Sequence, residues 1–575
     1  MPSAPSPHAS TITVRATLDM LDGPFSEMAK GVSNDLYALW LGSGISFGRV
    51  PSLQKIVESV LRFLQQQVVP GDPNCRFLSA LSEVLSLASP SPEELARTDM
   101  ERPVEDWPDL SAFTKRLVNN YARMLDVSVD GEESDYLLWA GVDVPETYGN
   151  PSITPDAEHL CIALLVLEGV ASDIASANWD GLVEKAVYEL TNGVALAVLV
   201  RPEDARGVQA RSLLYKFHGC AVLARNDPAN YRGKLVARHS QINAWASAPE
   251  NAVIAELLVF LATTKRTLMI GLSAQDGNIQ GVFAKAQTRM GWPWPSPELA
   301  YVFSENELGG DQRGLLQNVY RDAWSPLNRD AIYHEALLQA YAKPLLVALV
   351  LHVLCLKLSA LASIAPGTLN AAGRQEVVAG IVTLRNSIGE SVEKLDHETF
   401  VRELIAQSER LLSLFRDGRA PAPGSRLYSP LSRETVNATL SDPNLPTSGL
   451  REMGVAVGLL GMGLSAGQWL VRSANRTDTK SGALSVKTMA YEVQIFFAAN
   501  SNTALRLHDN GHVAANDNAV IVHSLEIPST LHRSPRGALG RTGKPVLREV
   551  SITELMSGAV NAVDLFKRFR EETAL

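Results

Sequence analysis

Residues 173–190 read DIASANWDGLVEKAVYEL. DIASAN (173–178) is a short run with strand character, and 181–190 reads as a helix. Between them stand Asn178, Trp179 and Asp180, an amide, a large aromatic and an acid in one tight turn. Two readings fit this turn. Asn and Asp bond their own backbone and start helices, so a helix cap beside a buried Trp179 explains it. A ligand site at the end of a strand explains it too. The rest of the chain decides.

Outward from this turn the same alternation recurs. DLYALWLG (35–42) is an apolar run that ends in glycine, and the segment after Pro51, SLQKIVESVLRFLQQQV, has helical spacing. Further strands are expected at 193–200, 212–217, 267–272 and 299–304, and helices at 250–264 and 278–289. Short apolar strands separated by helices predict an α/β fold, a parallel sheet with helices on both faces. Residues 70–170 read as a mostly helical insertion. After residue 320 the pattern changes to long helices (328–416). A Pro/Gly/Ser-rich segment, DGRAPAPGSRLYSP (417–430), reads as a linker or long surface loop. Strand-like runs follow at 491–499 and 519–527, then a final helix at 557–573. The divisions are an N-terminal tail (1–34), an α/β domain (35–320) and a mostly helical and mixed half (321–575). There is no internal repeat.

The chain has 575 residues and a net charge of −10, which argues against broad nucleic-acid binding by clustered Lys and Arg. Its four cysteines, Cys75, Cys161, Cys220 and Cys355, form no CxxC pair, so no structural zinc site or other metal site is expected. Scattered cysteines fit a reducing compartment. The polar opening MPSAPSPHAS has neither a basic start nor an apolar run; it reads as a mobile tail, and the chain as cytoplasmic. Two apolar stretches, from Pro344 and from Met453, are interrupted by His352 and Lys357 and by Ser465 and Gln468 respectively. They read as buried helices, packed on the first domain or on another copy of the chain, not as membrane spans.

Four short motifs could carry chemistry. In LWLGSGISFG (39–48), Gly42 and Gly44 close a strand and lead toward a helix, a turn that can bring backbone N–H groups to a phosphate. Gly48 is one place late for the dinucleotide fingerprint, and a plain tight turn fits equally. The second is the Asn178–Asp180 turn. In LLYKFHGC (213–220), His218 follows an apolar strand; such a histidine is either structural or a base at a ligand-binding strand end. In MIGLSAQDGNI (269–279), Gly271, Ser273, Asp276 and Asn278 precede a helix, as caps or as donors to a nucleotide.

Taken in order, GSGIS, ANWDGL, FHG and GLS resemble the sirtuin family, whose turns read GAGIS, QNxDGL, HG and GTS or GxS. The resemblance covers roughly residues 35–310. It implies a Rossmann-like NAD-binding domain in which Gly42, Ser43, Gly44, Ile45 and Ser46 form the turn over the pyrophosphate. Asn178 then stands beside the reacting ribose, Asp180 near the nicotinamide with Trp179 between them, and His218 is the general base. Gly271, Ser273 and Asp276 face the adenine-side ribose. The chain departs from deacylating sirtuins in three ways. It lacks the four zinc cysteines after HG, reads FGRVPSLQKI where they have a PDFR-type segment, and has Ala177 in place of Gln. It thereby resembles the zinc-free bacterial branch of phage defence, which hydrolyses NAD. The resemblance implies NAD as substrate, no metal, and cleavage to nicotinamide and ADP-ribose. It further implies gating by a homo-oligomer or a partner such as a hexameric translocase-type ATPase or a short Argonaute, with no direct nucleic-acid or membrane binding. The alternatives are ADP-ribosyl transfer, deacylation, or nucleotide sensing without catalysis.

Overall fold

The computed structural model describes residues 8–575 except 194, 423, 476–477, 479, 515–517 and 526–546. Seven parallel strands form the first sheet, in the order β3-β4-β2-β1-β5-β6-β7. They are β1 (Tyr37–Leu41), β2 (Asp173–Ser176), β3 (Leu196–Leu199), β4 (Ser212–Lys216), β5 (Arg266–Ile270), β6 (Tyr301–Ser304) and β7 (Leu337–Leu338). All six strands expected from the sequence form. β7 was not anticipated.

The central strand shows why the sheet is buried on both faces. All five residues of β1, YALWL, are buried. Tyr37, Leu39 and Leu41 join one apolar core, while Ala38 and Trp40 join the core on the opposite face. Alternate side chains of a strand point to opposite faces, so an unbroken apolar run needs helices on both. Helices Ala252–Thr264, Gly277–Arg289 and Gly310–Val319 contribute the Trp40 face. Helices Ala157–Leu167 and Leu182–Thr191 contribute the other.

That second face corrects several expectations. Residues 14–33 are no tail: helices Val14–Asp22 and Ser26–Ser33 bury Val14, Leu18, Leu21 and Met28 in the core beside β1. The Thr13 side chain caps the first of them. Helix Ala157–Leu167, inside the expected insertion, belongs to this core as well, whereas residues 56–148 gather in a separate core of their own. The first core also continues past residue 320. Helix Ala342–Ser363 lays Leu345 to Val353 on it, then carries Cys355, Leu361 and Ala362 into the next core.

The second core surrounds a five-stranded mixed sheet in the order β12-β11-β10-β9-β8. Its strands are β8 (Leu470–Ser473), β9 (Leu484–Lys487), β10 (Glu492–Asn500), β11 (Ala519–Leu525) and β12 (Arg548–Ser551). β10, β11 and β12 run parallel, and β8 and β9 antiparallel. Residues 526 and 527 of the expected strand lie outside the described residues.

Helix Ala342–Ser363 is long and apolar enough to cross a membrane, but 72% of its most apolar window is buried inside the protein. The Gly-rich stretch from Met453 lies in helix Leu450–Ser465 and is buried in the chain as well. Its glycines permit a close crossing: a Cβ at Gly461 would sit 1.9 Å from Gly380 O, and one at Gly458 2.5 Å from Val377 O. Both apolar stretches are therefore covered without a second copy, which removes their apolarity as an argument for oligomers. The 417–430 segment, expected as a linker or long surface loop, is docked at Tyr428. Tyr428 is buried, its backbone N–H donates to Leu190 O, and its hydroxyl donates to Glu168 Oε1 at 2.6 Å.

Candidate active site

The chain builds β1 and β2 side by side, moves outward to β4 and β3, then returns to place β5 on the other side of β1. Open parallel sheets bind ligands outside the carboxyl ends of their strands at such a reversal. All four turns singled out in the sequence leave carboxyl ends there, after β1, β2, β4 and β5.

Gly42–Ser46 and Gly271 meet backbone to backbone. A Cβ at Gly42 would stand 2.3 Å from Gly271 O, and one at Gly44 2.6 Å from Gly271 Cα. Gly271 itself has φ +62°, a left-handed conformation that favours glycine. The Gly44 N–H donates to Gly271 O at 3.1 Å, so that donor holds the fold. Ser43, Gly44 and Ser273 are exposed along the rim, while the Ile45 side chain is an anchor in the apolar core.

Asn178, Asp180 and Ser46 are buried together. The Asn178 amide Nδ2 donates to Gly42 O at 3.1 Å and to Ser46 Oγ at 3.4 Å. Ser46 Oγ donates to Asp180 Oδ2 at 2.9 Å, and the Leu182 N–H donates to Asp180 Oδ1 at 3.2 Å. Asp180 thus caps the following helix with one oxygen and ties the β1 turn to the β2 turn with the other.

His218 and Asp276 bridge the edge. Their strands, β4 and β5, are separated by three strand spacings, roughly 14 Å, yet His218 Nε2 lies 2.9 Å from Asp276 Oδ2. The two loops therefore lean together over the ends of β2 and β1. The contact is an ion pair only when the imidazole carries its second proton, and its approach is off the line of a hydrogen bond. Burial raises the Asp276 pKa, but His218 outweighs it and holds the carboxyl below its ordinary value. Asp276 Oδ1 also accepts the Asn278 N–H at 2.9 Å, capping helix Gly277–Arg289.

Residues 172–322 match the family model of the SIR2-like domain. This stretch of the chain is SIR2-like, that is, similar to sirtuins. Such a domain goes with NAD-dependent enzymes. The matched segment holds the Asn178, His218 and Gly271 turns, and the Gly42–Ser46 turn precedes it. No curated protein matches the chain. Among the described residues, no group of three or more His, Cys, Asp and Glu side chains is placed to hold a metal ion.

The joined turns have two further polar supports, Lys216 and His159, that the sequence did not single out. Lys216, the last residue of β4, is 1% exposed. Its Nζ donates to the Asp180 carbonyl, to Glu184 Oε1 at 2.8 Å and to Cys220 Sγ at 3.6 Å. Burial alone would lower its pKa, but Cys220, Glu184 and Asp180 outweigh this and raise it, so it stays a cation. A lysine inside the apolar run SLLYKF was the available signal. His159, fully buried on helix Ala157–Leu167, reaches Ser46 Oγ with Nε2 at 3.1 Å.

The helical residues before β2 wall the site. Tyr148 meets Trp179 edge to face at 5.4 Å. The segment after His218 docks onto those helices through Arg232–Asp135 at 2.6 Å, and through Ser240 Oγ donating to Asp126 Oδ1 at 2.6 Å. Two buried donors at these turns, Trp179 Nε1 and Asn278 Nδ2, have no hydrogen-bond partner among the described residues. Unpartnered donors at these turns and glycine backbone at the rim are compatible with a polar, acceptor-rich ligand such as a dinucleotide.

Proposed function

We propose that the chain is an NAD+ hydrolase, splitting NAD+ and water into nicotinamide, ADP-ribose and a proton. The observation that carries this reading is the buried joining of Asn178, Asp180 and Ser46 across two strand ends at the sheet's reversal. The pyrophosphate would lie along Gly42–Ser46, with Ile45 anchoring the turn, and the adenine-side ribose toward Gly271, Ser273 and Asp276. The nicotinamide ribose would lie at Asn178 and Asp180. Nicotinamide leaves as the ribose carbon takes on oxocarbenium character, and water adds to that carbon. Asn178 orients the ribose or the water, and His218, held by Asp276, takes the proton. Fixed polar groups in a buried site lower the barrier because they need no reorganisation.

One observation supports hydrolysis over deacylation. In deacylating sirtuins the zinc module follows HG. Here residues 221–237 after His218 put Ala221, Ala224, Leu235 and Ala237 into the core of the helices before β2. The segment serves the fold and is committed to those helices.

The proposal extends to an effector in phage defence. NAD cleavage would be gated by assembly of copies or by a partner such as a translocase-type ATPase or a short Argonaute. Two ion pairs would couple the glycine turn and helix Ala157–Leu167 to the helices after residue 320: Arg49, just past the turn, with Glu398 of helix His397–Asp417, and Lys343 with Asp156 at 2.9 Å. The experiment is incubation of the purified chain with NAD. Equal nicotinamide and ADP-ribose without a protein acceptor supports hydrolysis. Label retained on protein shows transfer, release that needs an acyl peptide shows deacylation, and binding without turnover shows a sensor.

A further inference from the structure

Helix Ala157–Leu167 reads AEHLCIALLVL, and ten of its eleven residues are buried. Its one imidazole, His159, is fully enclosed. Burial holds its pKa down to about 4, so the ring is neutral near neutral pH. A neutral imidazole has one donor and one acceptor nitrogen. The Asp156 N–H donates to Nδ1 at 3.1 Å, so Nδ1 is the acceptor and the proton sits on Nε2. Nε2 then donates to Ser46 Oγ at 3.1 Å.

This fixes the hydroxyl. Ser46 Oγ receives one bond from His159 and a longer one from Asn178 Nδ2, which leaves its proton for Asp180 Oδ2 at 2.9 Å. Both lone pairs and the proton are engaged, and the bonds run in one direction, from Asp156 N–H through His159 and Ser46 to the carboxylate. Packing alone would be met by a leucine in this apolar helix.

We infer that His159 is a positioning residue: it sets the direction of the Ser46 hydroxyl and through it holds Asp180 and Asn178 in the geometry that acts on the ribose. The inference rests on the proposed NAD site. Without the imidazole, the Ser46 hydroxyl turns toward other acceptors and the β1 and β2 turns lose their register.

The test is nicotinamide release from NAD by the full chain and by His159→Leu, His159→Gln and Ser46→Ala, with thermal melts of each. His159→Leu is expected to lower kcat on the order of 10- to 100-fold with a much smaller change in KM, as for other misplacements of reacting groups. His159→Gln, which keeps an amide donor at similar reach, restores most of the rate. The double variant His159→Leu with Ser46→Ala is no slower than Ser46→Ala alone, because both act through one hydroxyl. A parent rate in His159→Leu overturns the inference, as does equal loss in His159→Gln or additive loss in the double variant. A second readout does not depend on turnover. Nitrogen-15 spectra of the histidine-labelled chain should show His159 with its proton on Nε2 and a signal that moves in Ser46→Ala; a proton on Nδ1 overturns the inference. If the parent chain releases no nicotinamide, the hydrolase reading fails. His159 is then judged by this spectrum and by the same variants' affinity for NAD.

Discussion

The carboxyl ends of the two sheets differ in how far their hydrogen bonds reach. In the second sheet, β10 ends at Asn500, whose side chain accepts the Thr503 N–H at 2.9 Å, and β12 ends at Ser551, whose hydroxyl accepts the Glu554 N–H at 3.3 Å. Both are local helix caps. In the first sheet, the equivalent polar residues reach across the chain, Asn178 to Gly42 over 136 positions and Ser46 to Asp180 over 134, and His159, on the helix before β2, reaches Ser46 over 113. Parallel βα units alone do not make a site. The candidate site is where strand-end polar groups turn inward and bond one another.

This contrast can be broken in steps. A large effect is expected at the long-range edge. His218→Ala should lower NAD cleavage by about 10²–10⁴-fold while NAD still binds, since general acid–base catalysis typically contributes that much. Steady-state kinetics with equilibrium binding checks it, and equal loss of both would make the imidazole structural.

The next effect lies where the first sheet meets helix Ala342–Ser363. Glu158 is 4% exposed, and burial pushes its carboxyl up to about 7. Lys343, 3.9 Å away, and Arg49 work against that rise, and Asp156 adds to it. A folded pKa above the unfolded value means that the folded chain binds more protons between the two. The contribution is therefore full below about pH 4.5 and lost as pH rises through 7. Glu158→Gln should match the parent at low pH and be more stable by a few kcal/mol at pH 8. His159 has the opposite sign, its contribution being lost as pH falls from 6.5 toward 4. The difference between parent and variant in denaturant unfolding thus isolates Glu158, and parallel pH profiles would refute the assignment.

In the second unit, Gly461→Ala forces a methyl to 1.9 Å from Gly380 O, against backbone that cannot swing aside. Overpacking of this kind typically costs about 1–3 kcal/mol. Denaturant unfolding should show that loss, with the NAD rate per folded molecule unchanged. The smallest effect is the local cap. Ser551→Ala should cost about 1 kcal/mol and leave NAD chemistry untouched. A loss of cleavage from Ser551→Ala would erase the distinction between the two sheets.

The sequence made the strands of the first sheet readable because each is a short apolar run closed by glycine or a polar turn. β7 was not readable: two residues carry no period, and only pairing with β6 makes Leu337–Leu338 a strand. Asn178 and Asp180 were readable as a choice between cap and site, and in the structure Asp180 accepts both the Leu182 N–H at the start of the following helix and the Ser46 hydroxyl from the β1 turn. His159 and Lys216 were passed over because one polar residue in an apolar run carries no periodic signal and its partner lies far along the chain. The N-terminal helices were hidden behind a Pro/Ser-rich opening, although Thr13 followed by Val14, Leu18 and Leu21 has the cap and spacing of a helix. Composition showed that 417–430 is irregular, but not that Tyr428 is clamped to Glu168.

The central claim is that the joined turns after β1 and β2 act on the ribose of NAD. The most direct measurement is nicotinamide released from NAD by the full chain and by Asn178→Ala, with thermal melts of both. Release is expected from the parent and only background release from the variant, with melting temperatures that differ by only the loss of the amide's bonds to Gly42 and Ser46. Release at the parent rate from a folded Asn178→Ala would contradict the claim.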